Sequence, residues 1–355
     1  MSNNHELMER QSLVNYGAPL NQTKAPIPAA EGTEIIIAIR HCGVCHSDVH
    51  LQDGFFDLGN DRRFGVSALH NLPFTLGHEI EGEVVAIGDR AENVSLGDRR
   101  VVYPWIGCEV CELCTSGLSH LCDEPRQIGV NVDGGFATHV QVPHPKYLLE
   151  YDGIDAEHAG SFMCAGLTAY SALKKLTRRT KEGPVLIVGL GGVGMMALRF
   201  AQTLFAQPPI VAEIDPGKRK EALSMGALHA LDPGDREARK QIMGETGGVF
   251  GAVDFVGNPK TASLAIGMLK KGGKLVIAGL FGGEFTYPLP YFPFRSVALE
   301  GSYVGSLQDA EEMLELARKG GIAPIPVNTR PLHQASEALD DLRHARIVGR
   351  TVLVP

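Results

Sequence analysis

Apolar and polar positions in the second half of the chain alternate between two periods. Val185-Leu186-Ile187-Val188 is an unbroken apolar run, as expected of a strand buried on both faces. It leads into Gly189-Leu190-Gly191-Gly192-Val193-Gly194, after which Met195, Leu198, Ala201 and Phe205 recur at helical spacing. A second apolar run, Ile210-Val211-Ala212, follows. Then come helical 218–225, a short run at 228–231, helical 236–243, a strand at 252–256, helical 261–269, a strand at 274–280 and a run at 297–300. This alternation predicts an α/β unit, a parallel doubly wound sheet of about six strands, with boundaries near 166 and 305.

The first half is richer in strand patterns. Residues 1–30 are polar and carry Pro19, Pro26 and Pro28, which suggests a leading strand or hairpin with its loops. Apolar or alternating runs at 34–39, 81–88, 101–103 and 138–142 predict β-strands. Residues 53–73 read as a long ordered surface excursion in which Phe55, Phe56 and Phe64 either line a pocket or anchor the loop. A helical pattern covers 157–176. In the tail, Ser306 is placed to cap a helix over 307–319, a second helix covers 333–343, and 351–354 is a closing strand.

Length and charge narrow the function classes. At 355 residues the chain exceeds what one core supports, so two domains are expected. The composition, 44% hydrophobic and 21% charged, fits an ordinary globular enzyme rather than a disordered chain. The formal charge of −8 argues against nucleic acid or an anionic membrane as partner. The densest basic run, Lys174-Lys175 with Arg178-Arg179-Lys181, reads as a solvated helix end. The N-terminus lacks the apolar core of a secretory signal, and no run approaches the ~20 apolar residues of a membrane span. A cytoplasmic location is therefore expected, where seven cysteines read as metal ligands or catalytic groups before disulfides.

Three groups of residues carry candidate chemistry. The Gly189–Gly194 turn, with a strand before it and a helix after it, has the context of a dinucleotide site, although glycines also serve plain turns. Glu213 stands where a ribose-binding carboxylate is expected, with Asp215 as the alternative. Cys108, Cys111, Cys114 and Cys122 supply four thiolates within fifteen residues. Their two-residue spacers suit a closed tetrahedral zinc site. The competing use, a nucleic-acid-binding finger, is disfavoured by the acidic flanks Glu109, Glu112, Asp123 and Glu124. Cys45, His46 and His50 form the third group, with His78 and Glu79 downstream. Cys42-x-x-Cys45 also admits a redox reading, and Cys164 alone reads as a packed core thiol.

Taken together, five motifs resemble the zinc-dependent medium-chain alcohol dehydrogenase family, in the family's order and over essentially the whole chain. They are Gly43-Val44-Cys45-His46-Ser47-Asp48, Gly77-His78-Glu79, the four-cysteine lobe, Cys164-Ala165-Gly166-Leu167-Thr168-Ala169-Tyr170, and the glycine turn. The resemblance implies a GroES-like, β-rich catalytic domain made of residues 1–165 and 306–355, with a structural-zinc lobe at about 104–124. A Rossmann domain at 166–305 would bind NAD, and the active site would lie in the cleft between them. It implies two zinc ions per chain: a catalytic one on Cys45, His78 and Cys164, and a structural one on Cys108, Cys111, Cys114 and Cys122. Glu79 would stand near the catalytic metal, and Asp48 would orient His78. Ser47 and His50 would pass the alcohol proton toward solvent. His46, Gly189, Gly191, Gly192, Val193, Gly194, Glu213, Ile214 and Lys218 would contact the cofactor, with Arg219 leaving room for some tolerance of NADP.

The implied reaction is reversible oxidation of a primary or secondary alcohol to an aldehyde or ketone, by hydride transfer to NAD from a zinc-bound alkoxide. A polyol or aldehyde oxidoreductase of the same fold is the alternative. A zinc-bearing binding protein without turnover is the reading from another class, and the intact relay argues against it. Trp105 is the candidate wall of the substrate pocket. The expected partner is a small alcohol or carbonyl compound. A homodimer or homotetramer is expected, with residues 274–280 through Tyr303 pairing across a dimer.

Overall fold

The computed structural model describes residues 6–177 and 183–355. Six short runs build one parallel sheet: β1 Val185–Val188, β2 Ile210–Ala212, β3 His229–Leu231, β4 Val249–Asp254, β5 Leu269–Ile277 and β6 Ala298–Gly301. They lie in the order β3-β2-β1-β4-β5-β6, every neighbouring pair parallel. All residues of β1 and β4 are buried, as strands covered by helices on both faces must be. The strand order reverses between β1 and β4, and the Gly189 turn leaves β1 at that point, where doubly wound sheets open a ligand crevice.

The first half and the tail together form a seven-stranded sheet. Its main path runs Leu148–Leu149, Arg99–Val102, Glu79–Ile87, Ile35–Gly43, Arg350–Val354, Val327–Pro331, with His139–Val142 also paired to Ile35–Gly43. The antiparallel register sets Gly43 opposite Glu79, so Cys45 and His78 leave the sheet side by side. The chain's last strand lies on the other flank, with Val352 opposite Gly43. Gly160 packs against the Glu79 carbonyl so closely that a Cβ there would run into it, which brings the Cys164 segment to the same corner. Pairing and one close backbone approach therefore gather three distant segments.

Several elements differ from expectation. The helical pattern at 157–176 is broken: helix Ala156–Ala159 and a 3-10 turn Gly160–Met163 end at Cys164, whose φ of −129° and ψ of −73° are not helical, and Ala165–Lys174 restarts beyond it. The excursion at 53–73 contains a hairpin, Phe55–Gly59 with Arg62–Gly65. The tail helix is Leu307–Leu316, capped by the Ser306 hydroxyl, and passes into a π-turn Ala317–Gly321. Strand Val327–Pro331 has no clear sequence signal, because its parallel pairing with Arg350–Val354 is a tertiary choice. In the basic run, Lys174 and Lys175 are ion-paired with Asp309, Glu312 and Glu300, while Arg178, Arg179 and Lys181 lie outside the described residues. Among the described residues no helix is long and apolar enough to cross a membrane.

Candidate functional site

Cys45, His78, Glu79 and Cys164 each bring a potential ligand atom within 4.8 Å of the others, and all four residues are buried. Cys45 is the N-cap of helix His46–Asp53, with extended backbone angles that turn its thiol inward. Asp48, three residues on, accepts from the Cys45 N–H at 2.9 Å and from the Gly77 N–H at 3.3 Å. The same carboxylate stands 3.2 Å from His78 Nδ1, off the direction of a hydrogen bond. His78 Nε2 and Glu79 Oε1 are buried without a hydrogen-bond partner.

The electrostatics of the cluster call for a cation. The Cys45 and Cys164 sulfurs are 3.7 Å apart and share one hydrogen bond, which holds Cys45 well below and Cys164 well above the usual thiol range. Burial alone would push His78 down, yet the Asp48 carboxylate and the Cys45 sulfur outweigh it and hold the imidazole well above its ordinary value. Burial raises Glu79, against the opposing pull of Arg350. Two sulfurs, an imidazole with a free nitrogen and a nearby carboxylate fit zinc. Cys42 is buried and bonded weakly to the Gly43 carbonyl, so Cys45 pairs with Cys164 rather than with the other half of its C-x-x-C.

Rings lead away from this cluster in two directions. Trp105 meets His78 edge-on at 5.4 Å between centroids and is pinned by its Nε1–H to the Met163 carbonyl at 2.7 Å. Tyr303 packs on the far edge of Trp105 at 5.7 Å and donates to Gln127 Oε1 at 3.0 Å. On the other side, Phe56, His50, His46 and Phe281 form a row with centroids 4.9, 5.4 and 4.7 Å apart. Burial lowers the pKa of both histidines. Ser47 lies half-buried beside them. Of the three phenylalanines in the excursion, Phe56 faces His50, Phe55 lies 4.0 Å under the Arg63 guanidinium, and Phe64 is exposed. The hairpin tip leans on the segment after β5, where Asn60 and Arg62 donate to the Glu284 carboxylate.

The four cysteines of the lobe also converge within 4.8 Å. Short helix Glu112–Thr115 and the backbone bring them together, with the N–H groups of Cys108 and Glu124 donating to the Cys122 sulfur at 3.3 Å. Backbone N–H donors, chiefly that of Val110, lower the Cys108 thiol to about 7, so a thiolate forms readily there. Four sulfurs with no exchangeable position suit a closed zinc site.

At the glycine turn, Gly189 has φ +86°, and a Cβ on Gly194 would run into the Gly189 carbonyl. A Cβ on Gly191 would meet nothing within 4 Å, and helix Gly192–Leu204 begins with no side-chain cap. Its first N–H groups are left for an anion. Val193 lies half-buried in that first turn. Glu213, nearly buried at the end of β2, accepts from the Leu190 N–H at 2.6 Å and the Asp215 N–H at 3.0 Å. Ile214 is exposed beside it, and Asp215 is committed to capping helix Pro216–Ser224 through the Lys218 N–H. Donors at the turn and a carboxylate one strand away fit a dinucleotide.

Residues 31–152 match the alcohol dehydrogenase GroES-like domain, and residues 192–319 match the zinc-binding dehydrogenase domain. An NAD-dependent alcohol dehydrogenase of Sulfurisphaera tokodaii is 36% identical over 98% of this chain and all of its own length. The chain belongs to the zinc-dependent medium-chain alcohol dehydrogenase family. Among solved structures of that kind, the alcohol dehydrogenase of Aeropyrum pernix has a TM-score of 0.86 at 30% identity and covers 98% of this chain and 100% of its own. A cobalt- and zinc-bound alcohol dehydrogenase of Pyrobaculum aerophilum has a TM-score of 0.82 at 25% identity, covering 99% and 100%.

Sequence reasoning missed Arg350. It is buried, donates to Glu79 on one side, and lies where a Cβ on Gly192 would meet its side chain on the other. It therefore touches both the buried Cys45, His78, Glu79 and Cys164 cluster and the start of the helix after the glycine turn. Its only sequence signal is a lone arginine opening an apolar strand. Tyr303 and Gln127 were missed as well, because their pairing is 176 residues long-range.

Proposed function

We infer that this chain is a zinc-dependent alcohol dehydrogenase that oxidises a primary or secondary alcohol to an aldehyde or ketone with NAD, and runs the reverse. The observation that carries the reading is the buried convergence of Cys45, His78 and Cys164 beside Glu79. These three residues would hold the catalytic zinc, and Cys108, Cys111, Cys114 and Cys122 the structural one. Bound in place, zinc supplies Lewis acidity at the substrate oxygen and NAD supplies the hydride acceptor.

This chain's own residues do the positioning and the proton transfer. Asp48 holds the Cys45 turn through the Cys45 N–H and sets its negative charge 3.2 Å from His78 Nδ1. The Ser47 hydroxyl takes the alcohol proton, and His50, kept neutral by burial, passes it on toward solvent. Trp105 and Tyr303 wall the substrate side and keep water from it. His46 and the turn Gly189, Gly191, Gly192, Val193 and Gly194 bind the pyrophosphate. Glu213, flanked by Ile214 and Lys218, binds the adenosine ribose and repels a 2′-phosphate. Arg350 joins the two halves of the site by balancing Glu79 beneath the first turn of the helix.

The catalytic unit comprises residues 1–165 with 306–355, the cofactor unit residues 166–305, and the hairpin of the 53–73 excursion borders the cleft between them. The enzyme works in the cytoplasm as a homodimer or homotetramer. Exposed Leu289, Phe294 and Leu299, the last on edge strand β6, support association. The test is NAD reduction over primary, secondary, benzylic and polyol substrates, with and without a zinc chelator. Chelator-sensitive turnover on one alcohol class is expected. No turnover with any of them, despite bound NAD and two zinc ions, overturns the reading in favour of a binding protein.

A further inference from the structure

The adenosine end of the cleft holds a second carboxylate that faces Arg219. Arg219 stands on helix Pro216–Ser224, and its Nη1 donates to the Glu213 carbonyl at 2.7 Å and the Ile214 carbonyl at 2.8 Å. The same nitrogen lies 3.1 Å from Asp232 Oδ2. Asp232 follows β3 just as Glu213 follows β2, and the Glu213 N–H donates to the Leu231 carbonyl at 3.1 Å. Both carboxylates thus sit at the carboxyl ends of adjacent strands, the part of a doubly wound sheet that receives adenosine ribose. The other Asp232 oxygen accepts from the Gly234 N–H at 2.8 Å, which fixes the carboxylate toward the arginine.

We propose that Asp232 is a specificity-determining residue: by pairing Arg219 it keeps that guanidinium away from the adenosine 2′ position. An arginine beside the ribose is the group by which this architecture accepts a 2′-phosphate, through paired N–H donors. Here the carbonyls of Glu213 and Ile214 hold the arginine by its dipole partners, and Asp232 supplies the charge that competes with a phosphate. Preference for NAD over NADP is then the work of two carboxylates. Glu213 repels the 2′-phosphate directly, and Asp232 withholds the cation that would offset the repulsion. The proposal rests on the reading of the glycine turn as an NAD site.

The test is calorimetric titration of the zinc-loaded enzyme with ADP-ribose and with 2′-phospho-ADP-ribose, together with the ratio of kcat/KM for NADP and NAD. Asp232→Asn keeps an oxygen for the Gly234 turn but removes the charge, and Asp232→Ser is the second variant should it fold poorly. Either is expected to tighten 2′-phospho-ADP-ribose about fivefold, the scale of an exposed ion pair, and to raise the NADP ratio by the same factor. ADP-ribose affinity stays within about twofold, and adding Arg219→Ala abolishes the gain. Unchanged binding of the 2′-phosphate ligand, or equal tightening of both ligands, overturns the role of Asp232. Failure of the wild-type protein to bind ADP-ribose at all overturns the NAD reading instead, and the role of Asp232 with it.

Discussion

The molecule holds two cysteine clusters built on opposite plans. Cys108, Cys111, Cys114 and Cys122 come from one short loop, three of them half-exposed, with a four-residue helix between them. Cys45, His78 and Cys164 come from three segments, all buried, and Cys45 and Cys164 are 119 residues apart. Closing the first loop costs little chain entropy, so the lobe is ordered locally and a metal held there would clasp the loop itself. The second cluster exists only once the strand register at Gly43/Glu79 and the contact at Gly160 are in place. There the fold would seat a metal rather than the reverse. One plan suits structure and the other suits chemistry, because the second adds to its two sulfurs an imidazole and a carboxylate whose His78 Nε2 and Glu79 Oε1 are buried without a hydrogen-bond partner.

The sharpest way to break this contrast is to remove one sulfur from each cluster. Cys164→Ser is expected to lower alcohol turnover by about a thousandfold or more, since Lewis-acid stabilisation is worth several kcal/mol. Metal analysis should fall from two zinc ions to one per chain while the melting temperature changes little. Retention of more than a tenth of the activity would end the assignment of Cys164 as a ligand. Cys111→Ser should do the converse. Its zinc content also falls to one, the melting temperature drops by roughly 10 °C, and turnover per folded site stays within a few-fold. If instead its activity collapses at a temperature where the fold is intact, the lobe takes part in the chemistry and the contrast fails.

A subtler break lies at Asp48, which touches the buried cluster and not the lobe. Asp48→Asn keeps the shape and an oxygen for the Cys45 N–H but loses the charge beside His78. Partners of this kind are worth about 10- to 100-fold in metal affinity or activity. Competition with a chelator should show the catalytic zinc leaving that much more readily while the lobe's zinc is unaffected. Equal loss from both sites would mean that Asp48 acts through general stability.

The same contrast explains what the sequence revealed. The lobe was legible from spacing alone, because its ligands and its geometry are local. The glycine turn was legible for the same reason, with strand, turn and helix contiguous in the chain. Cys164 was not, since by itself it is one more small apolar residue in a helical pattern. Its helix break depends on Gly160 meeting the Glu79 backbone from a distant strand. Only a resemblance across the whole chain singled it out. Arg350 escaped for a related reason: burying a guanidinium is permitted only by its pairing with Glu79, which lies 271 residues away. The hairpin at 55–65 was hidden because neither of its strands buries a residue, so no apolar alternation marks them, although Asn60-Asp61, with φ of 51° and 59°, are residue types that take left-handed backbone in a turn.

The smallest expected effect tests whether the ring row beside the buried cluster is a relay. Burial first, and the neighbouring His46 next, lower the His50 pKa below the ordinary histidine value, so the neutral ring is favoured at neutral pH and the proton is gained only at lower pH. A neutral ring accepts the alcohol proton and a charged one cannot. Wild-type oxidation should therefore be level near neutrality and fall as the pH drops through that lowered value, while carbonyl reduction, which needs a proton donor, should gain over the same range. His50→Gln removes the acceptor. Oxidation at pH 7 should drop about tenfold, less than the roughly 100- to 10,000-fold of a group that takes the proton directly, because His50 stands one relay step beyond Ser47, and KM for NAD should change little. The His50 step should vanish from the profile, and hydroxide or buffer base should restore part of the rate at alkaline pH. An unaltered pH profile in the variant would show that the proton leaves by another route, and that Phe56, His50, His46 and Phe281 pack together for shape alone.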